Sequence, residues 1–283
     1  MPASLTLAAP AKLNRMLHVV GRRADGYHEL QTLFQLIDLA DTLTLTRRDD
    51  GVIELLTPVA GVAHADNLVV RAAKRLQAHT GCRYGASIAL DKKLPMGGGL
   101  GGGSSNAATV LVGLNALWSL DLPLTTLAEL GLALGADVPV FVHGRSAWAE
   151  GVGERLTPVT LDTPWFVVVH PGVSVSTPAI FQAPELTRDT RPISMARALQ
   201  GGAPTWRNDC EASVRDRHPP IAEALDWLAQ HAPSQLTGTG ACVFAVFDTQ
   251  ADAHAVADMA RVKWPSWVTR GINTSPLHAA LGC

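Results

Sequence analysis

The chain has 283 residues, a formal net charge of −2, and 47% apolar against 17% charged residues. This composition suits one large or two modest folded domains and excludes a disordered chain. Without a basic surface field the chain cannot hold a nucleic-acid backbone, so we expect small-molecule partners and no nucleic acid.

The cysteines and the hydropathy pattern predict a cytoplasmic protein. The four cysteines are widely scattered and form no C-x-x-C pair, which favours free thiols in a reducing compartment. No apolar run approaches the roughly 18 residues of a membrane span, and residues 1–6 lack the layout of a signal peptide. We therefore expect no membrane association.

Strand and helix patterns alternate along the chain. Residues 5–20 and 32–47 predict two strands joined by a turn at Asp25-Gly26, and Asp66 is a candidate N-cap for the helix that follows. A strand is expected at residues 86–90. Further helices are expected at residues 104–118, 126–134, 221–228 and 253–259, and further strands at residues 165–170, 241–247 and 268–273, with short helices and loops over residues 187–220. This mixed order predicts an α+β fold in two domains with a boundary near residue 160.

The dominant signal is the glycine loop, residues 95–106, with the sequence PMGGGLGGGSSN. Six glycines in seven positions are entropically costly, by about 0.5–1 kcal/mol each relative to alanine, and are tolerated where the backbone must approach another group closely. The loop runs into an apolar helix whose first amides lack intrahelical partners. This combination predicts a phosphate site, where Ser104 and Ser105 could cap the helix, contact phosphate or reach magnesium.

Three alternative interpretations fit the loop less well. Gly97, Gly99 and Gly102 satisfy the dinucleotide pattern G-x-G-x-x-G, but residues 91–95 do not form the apolar strand that should precede it, which argues against an NAD enzyme. A Walker A loop would require a lysine that is absent after Gly103. A flexible linker would not adjoin so apolar a helix.

The loop resembles the P-x-G-x-G-L-G-x-S-S motif of the GHMP kinases. Residues 10–14 (PAKLN) resemble the first motif of that family and residues 236–242 (LTGTGAC) the third, in the same order along the chain. Residues 22–30 (RRADGYHEL), 135–141 (GADVPVF), 149–154 (AEGVGE) and 170–172 (HPG) resemble blocks of its diphosphocytidyl-methylerythritol kinase branch. The likeness extends over essentially the whole chain.

The resemblance implies a two-domain GHMP kinase fold. Residues 1–160 would form an N-terminal domain like domain 2 of ribosomal protein S5, carrying the ATP-binding glycine loop. Residues 161–283 would form the C-terminal α/β sandwich domain that completes the substrate site. The implied reaction is ATP-dependent phosphorylation of the 2-hydroxyl of 4-diphosphocytidyl-2-C-methyl-D-erythritol, a step of the non-mevalonate route to isopentenyl diphosphate. The alternatives are another GHMP kinase of the homoserine or mevalonate type, or a catalytically silent nucleotide-binding protein.

Two residues are the catalytic candidates. From the residues alone Asp137 could be a loop aspartate and Lys12 an outward-facing strand lysine. The resemblance implies instead that Asp137 is the base that receives the hydroxyl proton. It implies that Lys12 keeps the carboxylate ionised and stabilises the developing alkoxide.

The resemblance also assigns the binding residues. Tyr27 and Phe181 would stack on the cytosine ring, His28 would bond to its edge, and Asn14 would orient hydroxyls or phosphates. The expected contacts to the substrate diphosphate come from Gly238, Thr239 and Gly240. The expected contacts to ATP come from Asn67, Lys92, Pro95, Met96, Gly97, Gly98, Gly99, Leu100, Gly101, Gly102, Gly103, Ser104 and Ser105. Mg²⁺ is implied as the counter-ion of ATP, held without a dedicated protein metal site, and the chain is expected to be a monomer or a homodimer.

Overall fold

The computed structural model describes residues 3–201 and 206–282. The strands in this part of the chain are β1 (Ser4–Arg22), β2 (His28–Arg48), β3 (Ile53–Leu55), β4 (Gly85–Asp91), β5 (Ala147–Gly151), β6 (Arg155–Pro158), β7 (Trp165–Val169), β8 (Ser234–Leu236), β9 (Val243–Phe247) and β10 (Ser266–Ile272). The α-helices are α1 (Leu68–Thr80), α2 (Gly102–Leu117), α3 (Leu124–Leu132), α4 (Val138–His143), α5 (Thr177–Phe181), α6 (Met195–Gly201), α7 (Glu211–Arg217), α8 (Pro219–Ala229), α9 (Gln250–Ala260) and α10 (Pro276–Leu281). The α+β expectation is confirmed.

The long β1–β2 hairpin forms the framework of the first half of the chain. Its antiparallel register runs from Ser4 opposite Thr46 to Arg22 opposite His28. The predicted turn joins the two strands, since Gly26 has a φ of 90° that favours glycine. The hairpin sets Lys12 and Asn14 on one stretch of β1, which becomes the floor of the site.

The sheet is continuous across both halves of the chain. Its order is β3-β4-β2-β10-β7-β9-β8, with β1 and β5 also pairing with β2. The C-terminal strand β10 pairs with β2 at Leu36 and Ile37 and with β7 along residues 165–169. A late segment thus connects the two halves.

Two large apolar cores lie on this sheet. One packs α1 to α4 against the first-half strands around Leu45 and Leu111, and the other packs α8 and α9 around Val167 and Leu225. The first core is formed mostly by residues before about residue 160 and the second core mostly by residues after it. The exceptions are three C-terminal residues in the first core, Ile272, Leu277 and Leu281, and three N-terminal residues in the second core, Leu17, Val19 and Leu30. The domain boundary itself stays a prediction.

Several local predictions needed correction. The N-cap of α1 is Asn67, whose side chain accepts from the Val69 amide, and not Asp66, which lies in a preceding 3₁₀ turn. The helix expected at residues 126–134 begins two residues earlier, and α4 was not predicted at all. Within the expected loop-rich segment, residues 202–205 lie outside the described residues. None of the helices in the described ranges combines the length and the apolar character that crossing a bilayer requires.

Candidate active site

The glycine loop adopts a conformation that ordinary residues resist. Gly97, Gly99 and Gly101 have φ values of 65°, 72° and 72°, in the left-handed region. Gly101 is the N-cap of α2, so the helix begins at Gly102. The capping role considered for Ser104 and Ser105 is therefore wrong, because both lie inside the first turn. The first backbone N–H groups of α2 have no acceptor within the helix, and they adjoin the glycine loop.

The loop is also bound to the second half of the chain. The amides of Ala241 and Cys242 donate to the carbonyls of Gly97 and Gly98 at 2.9 and 3.0 Å. A Cβ added to Gly99 would lie 2.2 Å from the Thr237 carbonyl oxygen. Part of the glycine requirement therefore comes from close packing between two protein segments, and not from a ligand alone.

Lys12 and Asp137 come together beside this loop. The Nζ of Lys12 lies 3.4 Å from Oδ2 of Asp137, and the two side chains are 4% and 34% exposed. The same Nζ donates to the Gly99 carbonyl at 2.9 Å. The ammonium is thus held by an anion and a carbonyl, as a buried charge requires, while the carboxylate keeps a face toward the cavity.

Asn14 holds Lys12 from the other side. Its Oδ1 accepts from Lys12 Nζ at 2.5 Å, and its Nδ2 donates to Thr32 Oγ1 at 2.8 Å. Thr32 in turn donates to the Met16 carbonyl. Both ends of the Asn14 amide are therefore used within the protein, which gives it a positioning function beside its predicted contact to substrate.

Three cavities adjoin one another around these residues. The loop cavity, about 330 Å³, runs along the glycine loop, and its lining includes Asn67, Lys92, Pro95, Met96, Gly97, Gly98, Gly99, Leu100, Gly101, Gly102, Gly103 and Ser104. The central cavity, about 430 Å³, contains Lys12, Asn14, Asp137, Phe181, Gly238 and Thr239 and shares Gly99, Gly101 and Ser104 with the loop cavity. The rim cavity, about 550 Å³, is lined by Tyr27, His28 and Phe181 and shares Phe181 with the central cavity. Taken together, the three neighbouring cavities are lined by almost all of the predicted site residues.

Two predicted binding residues lie differently from expectation. Ser105 is fully buried and its hydroxyl donates to the Pro10 carbonyl at 2.6 Å, so it closes the loop onto β1 and does not line the cavities. Gly240 does not line them either, and a Cβ there would meet Leu236 and Val175. Ser104 is the loop serine that reaches both the loop cavity and the central cavity.

Asp41 is a site residue that sequence reasoning missed. It is completely buried and accepts from Lys92 Nζ at 2.8 Å, from the amides of Lys93 and Leu94, and from Asn106 Nδ2. It thereby fixes the entry to the glycine loop and the side chain of Lys92. The available signal was an acidic residue inside an apolar strand, where aspartate is rare and needs partners when buried.

The rim cavity presents three aromatic rings. Tyr27 is 65% exposed, and the Phe181 ring stacks on His28 with centroids 5.1 Å apart. The Nε2 of His28 accepts from the Nε of Arg188 at 3.1 Å. Burial, followed by the charges of Arg188 and Arg22, lowers the pKa of His28 and so favours its neutral form.

Comparison with known proteins identifies the family. Residues 67–145 match the family described as GHMP kinases N terminal domain, and residues 186–265 match GHMP kinases C terminal. A relative from Chromohalobacter salexigens named 4-diphosphocytidyl-2-C-methyl-D-erythritol kinase is 63% identical over 98% of this chain and 94% of its own. The chain belongs to this family of GHMP kinases.

Two further comparisons agree with the assignment of the chain to this family. A protein of the same name from Ectopseudomonas mendocina is 58% identical over 99% of this chain and 95% of its own. The crystal structure of a 4-(cytidine 5'-diphospho)-2C-methyl-D-erythritol kinase superposes with a TM-score of 0.84 and 35% identity, covering 95% of this chain and 100% of that one. The GHMP kinase fold expected from the motifs is therefore confirmed, and membership of the family implies the use of ATP.

Proposed function

We propose that this kinase transfers the γ-phosphate of ATP to the 2-hydroxyl of 4-diphosphocytidyl-2-C-methyl-D-erythritol, with Asp137 as the base. The observation that carries the mechanism is the Lys12–Asp137 pair at 3.4 Å within a cavity that adjoins the glycine loop. The names of relatives at 63% and 58% identity support this substrate over a homoserine or mevalonate type. Both relatives are named as kinases, which argues against the NAD alternative.

The phosphates of ATP fit the loop cavity. Its wall is the glycine backbone leading into α2, whose N-terminal amides and dipole favour anions. Lys92 adds a cation that Asp41 holds in place. We assign the adenosine end to the region of Asn67, which lines the same cavity.

Proton transfer is assigned to the central cavity. Asp137 Oδ2 would take the proton of the acceptor hydroxyl. As the proton leaves, the hydroxyl oxygen bonds to the γ-phosphorus of ATP, and the bond between that phosphorus and the leaving ADP oxygen breaks. Lys12 Nζ, fixed by Asn14 and Gly99, lies where it can stabilise the developing alkoxide. Thr239 and Gly238, from the second half of the chain, line the space assigned to the substrate diphosphate.

Magnesium fits this site as a partner of the phosphates. The described residues contain no group of three or more His, Cys, Asp or Glu side chains arranged to hold a metal. Mg²⁺ in such kinases needs few protein ligands, because phosphate oxygens and water complete its shell. Ser104, which lines both the loop cavity and the central cavity, and Asp137, in the central cavity, have side-chain oxygens that would face it. When bound, the ion would neutralise charge on the transferring phosphoryl group.

A direct assay tests the proposed reaction. Purified protein with ATP–Mg²⁺ should release ADP with the cytidine diphosphate substrate, and not with homoserine or mevalonate. Thermal stabilisation by ATP–Mg²⁺ but not by NAD is the expected companion result. Turnover of homoserine or mevalonate at a comparable kcat/KM would overturn the substrate assignment. The cytoplasmic location and the monomer or homodimer state stay predictions of the sequence.

A further inference from the structure

A residue outside all sequence motifs connects two predicted substrate contacts. Arg188 donates from Nε to His28 Nε2 at 3.1 Å, and from Nη2 to the carbonyls of Phe181 at 2.9 Å and Ala183 at 2.6 Å. Its Nη1 donates to the Leu186 carbonyl at 3.0 Å. One guanidinium thus ties the end of α5 to the first residue of β2, across the edge of the rim cavity.

The chemistry of arginine fixes the tautomer of His28. A guanidinium has only N–H donors and no acceptor, so the imidazole nitrogen that meets it must be unprotonated. The proton of the neutral ring is therefore on Nδ1. Among residues 3–201 and 206–282, no side chain or carbonyl accepts a hydrogen bond from this nitrogen. His28 lines the rim cavity, where a ligand can take that bond.

The Watson–Crick edges of cytosine and uracil present different groups to such a donor. Cytosine presents an acceptor at N3, whereas uracil presents an N–H there. A fixed imidazole N–H can donate a hydrogen bond to N3 of cytosine. It cannot bond to the N3–H of uracil, because both groups are donors. Sites built around a specific hydrogen bond reject ligands that leave a buried polar group unpaired.

We propose that Arg188 is the residue that makes this kinase selective for cytosine over uracil, by holding His28 as an Nδ1–H donor. This inference rests on the proposed function, since it takes the rim cavity as the base site. Arg188 acts through His28 and is a positioning residue. Its bonds to three carbonyls also support the α5 end, so the test must separate selectivity from structural support.

Binding of CDP and UDP by calorimetry supplies that separation. The wild-type protein should bind CDP at least about tenfold more tightly than UDP. In Arg188→Met the ratio should fall toward one, with the affinity for ATP–Mg²⁺ unchanged, and Arg188→Lys should keep part of the ratio. Arg217→Met is the matched control, because Arg217 pairs with Glu185 on the same surface and lines none of the three cavities. An equal loss of CDP and UDP affinity in Arg188→Met would show a purely structural role and overturn the proposal.

Two further measurements make the test independent of protein stability and of the proposed reaction. Nitrogen NMR of histidine-labelled protein should show Nδ1 of His28 protonated and Nε2 unprotonated, with mixed tautomers in Arg188→Met; the opposite tautomer in the wild type would overturn the proposal. In a His28→Ala background, Arg188→Met should leave the CDP-to-UDP ratio unchanged, and a further fall would contradict action through His28. A wild type that phosphorylates the cytidine substrate yet shows no CDP preference refutes the selectivity inference alone. A wild type that binds neither nucleotide and shows no turnover refutes the proposed function as well.

Discussion

Lys12 Nζ and Asp137 Oδ2 are 3.4 Å apart although 124 residues separate them in the chain. The lysine lies on β1 and the aspartate is the N-cap of α4. An ammonium that is 4% exposed needs a charged partner, whereas the carboxylate, 34% exposed, retains access to the central cavity. The protein therefore holds the ammonium in place, and the carboxylate beside it is the more open of the two groups that line the central cavity.

This arrangement predicts a strong effect of Asp137→Asn on turnover. Loss of the base should lower kcat by roughly 10²–10⁴-fold, with little change in substrate affinity. Steady-state kinetics with the cytidine diphosphate substrate would measure it. Asp49→Asn is the control, since Asp49 is 80% exposed at the surface and pairs with Arg47. Wild-type kcat in Asp137→Asn would show that another group receives the proton.

Tyr27→Ala tests the assignment of the rim cavity. Loss of a base-stacking ring removes about 1–3 kcal/mol of binding, or roughly 5- to 150-fold in KM for the cytidine substrate, while the KM for ATP should change little. Tyr84→Ala is a matched control, because Tyr84 packs against Arg47 and Arg83 away from the three cavities. Equal weakening of both substrates would contradict the assignment.

Gly99→Ala and Gly103→Ala separate two demands on the glycine loop. At Gly99 a methyl group would lie 2.2 Å from the Thr237 carbonyl, and φ is 72°, so the substitution should destabilise the fold by more than about 2 kcal/mol. At Gly103 the nearest atom is Leu68 Cδ1 at 3.3 Å and φ is ordinary, so the cost should be under about 1 kcal/mol. Urea unfolding of the two variants measures the difference. Equal free energies of unfolding would refute the packing argument.

Asp41→Asn should weaken both the fold and nucleotide binding. The substitution leaves Lys92 without its anion and replaces an acceptor of the Lys93 amide, so we expect a loss of about 3–5 kcal/mol in the free energy of unfolding. The KM for ATP should also rise, because Lys92 and the loop entry lose their fixed positions. Asp226→Asn, at an exposed pair with Arg215, serves as control. Unchanged stability together with unchanged KM for ATP would remove Asp41 from the site.

Two buried thiols predict alkaline destabilisation. Burial raises the pKa of Cys210 from 9.0 to about 12, and burial also raises the pKa of Cys242. Because the pKa of each thiol is higher in the folded state than in the unfolded state, its contribution to the free energy of unfolding is fully present below pH 9. Above pH 9 this contribution falls by about 1.4 kcal/mol per pH unit for each thiol. Urea unfolding at pH 8 and pH 10 should show this loss, and it should be smaller in Cys210→Ala than in Cys82→Ala, where the thiol is partly exposed. Equal losses in both variants would exclude Cys210 as a source.

The sequence predicted those parts of the molecule that periodicity or motif determines. The buried helix α2 follows from apolar residues on all its faces, and the glycine loop from its composition. The six-residue α4 was missed because it is too short for periodicity and carries Pro139, which the first turn tolerates. Asp41 gave one local signal, an acidic residue inside an apolar strand, but its partners at residues 92–94 are distant in sequence. Arg188 gave no local signal, because its bond to His28 joins residues 160 positions apart.

Because β10 pairs with both β2 and β7, the two halves of the chain cannot be separated without breaking strand pairing. A fragment ending near residue 160 would leave the backbone of Leu36 and Ile37 without its C-terminal neighbour, and a fragment starting there would leave β10 with bare amides on one side. Exposed edges of this kind promote aggregation. Excised halves should therefore behave poorly alone, and an exchange of halves between relatives would have to preserve the pairing of β10 with both β2 and β7.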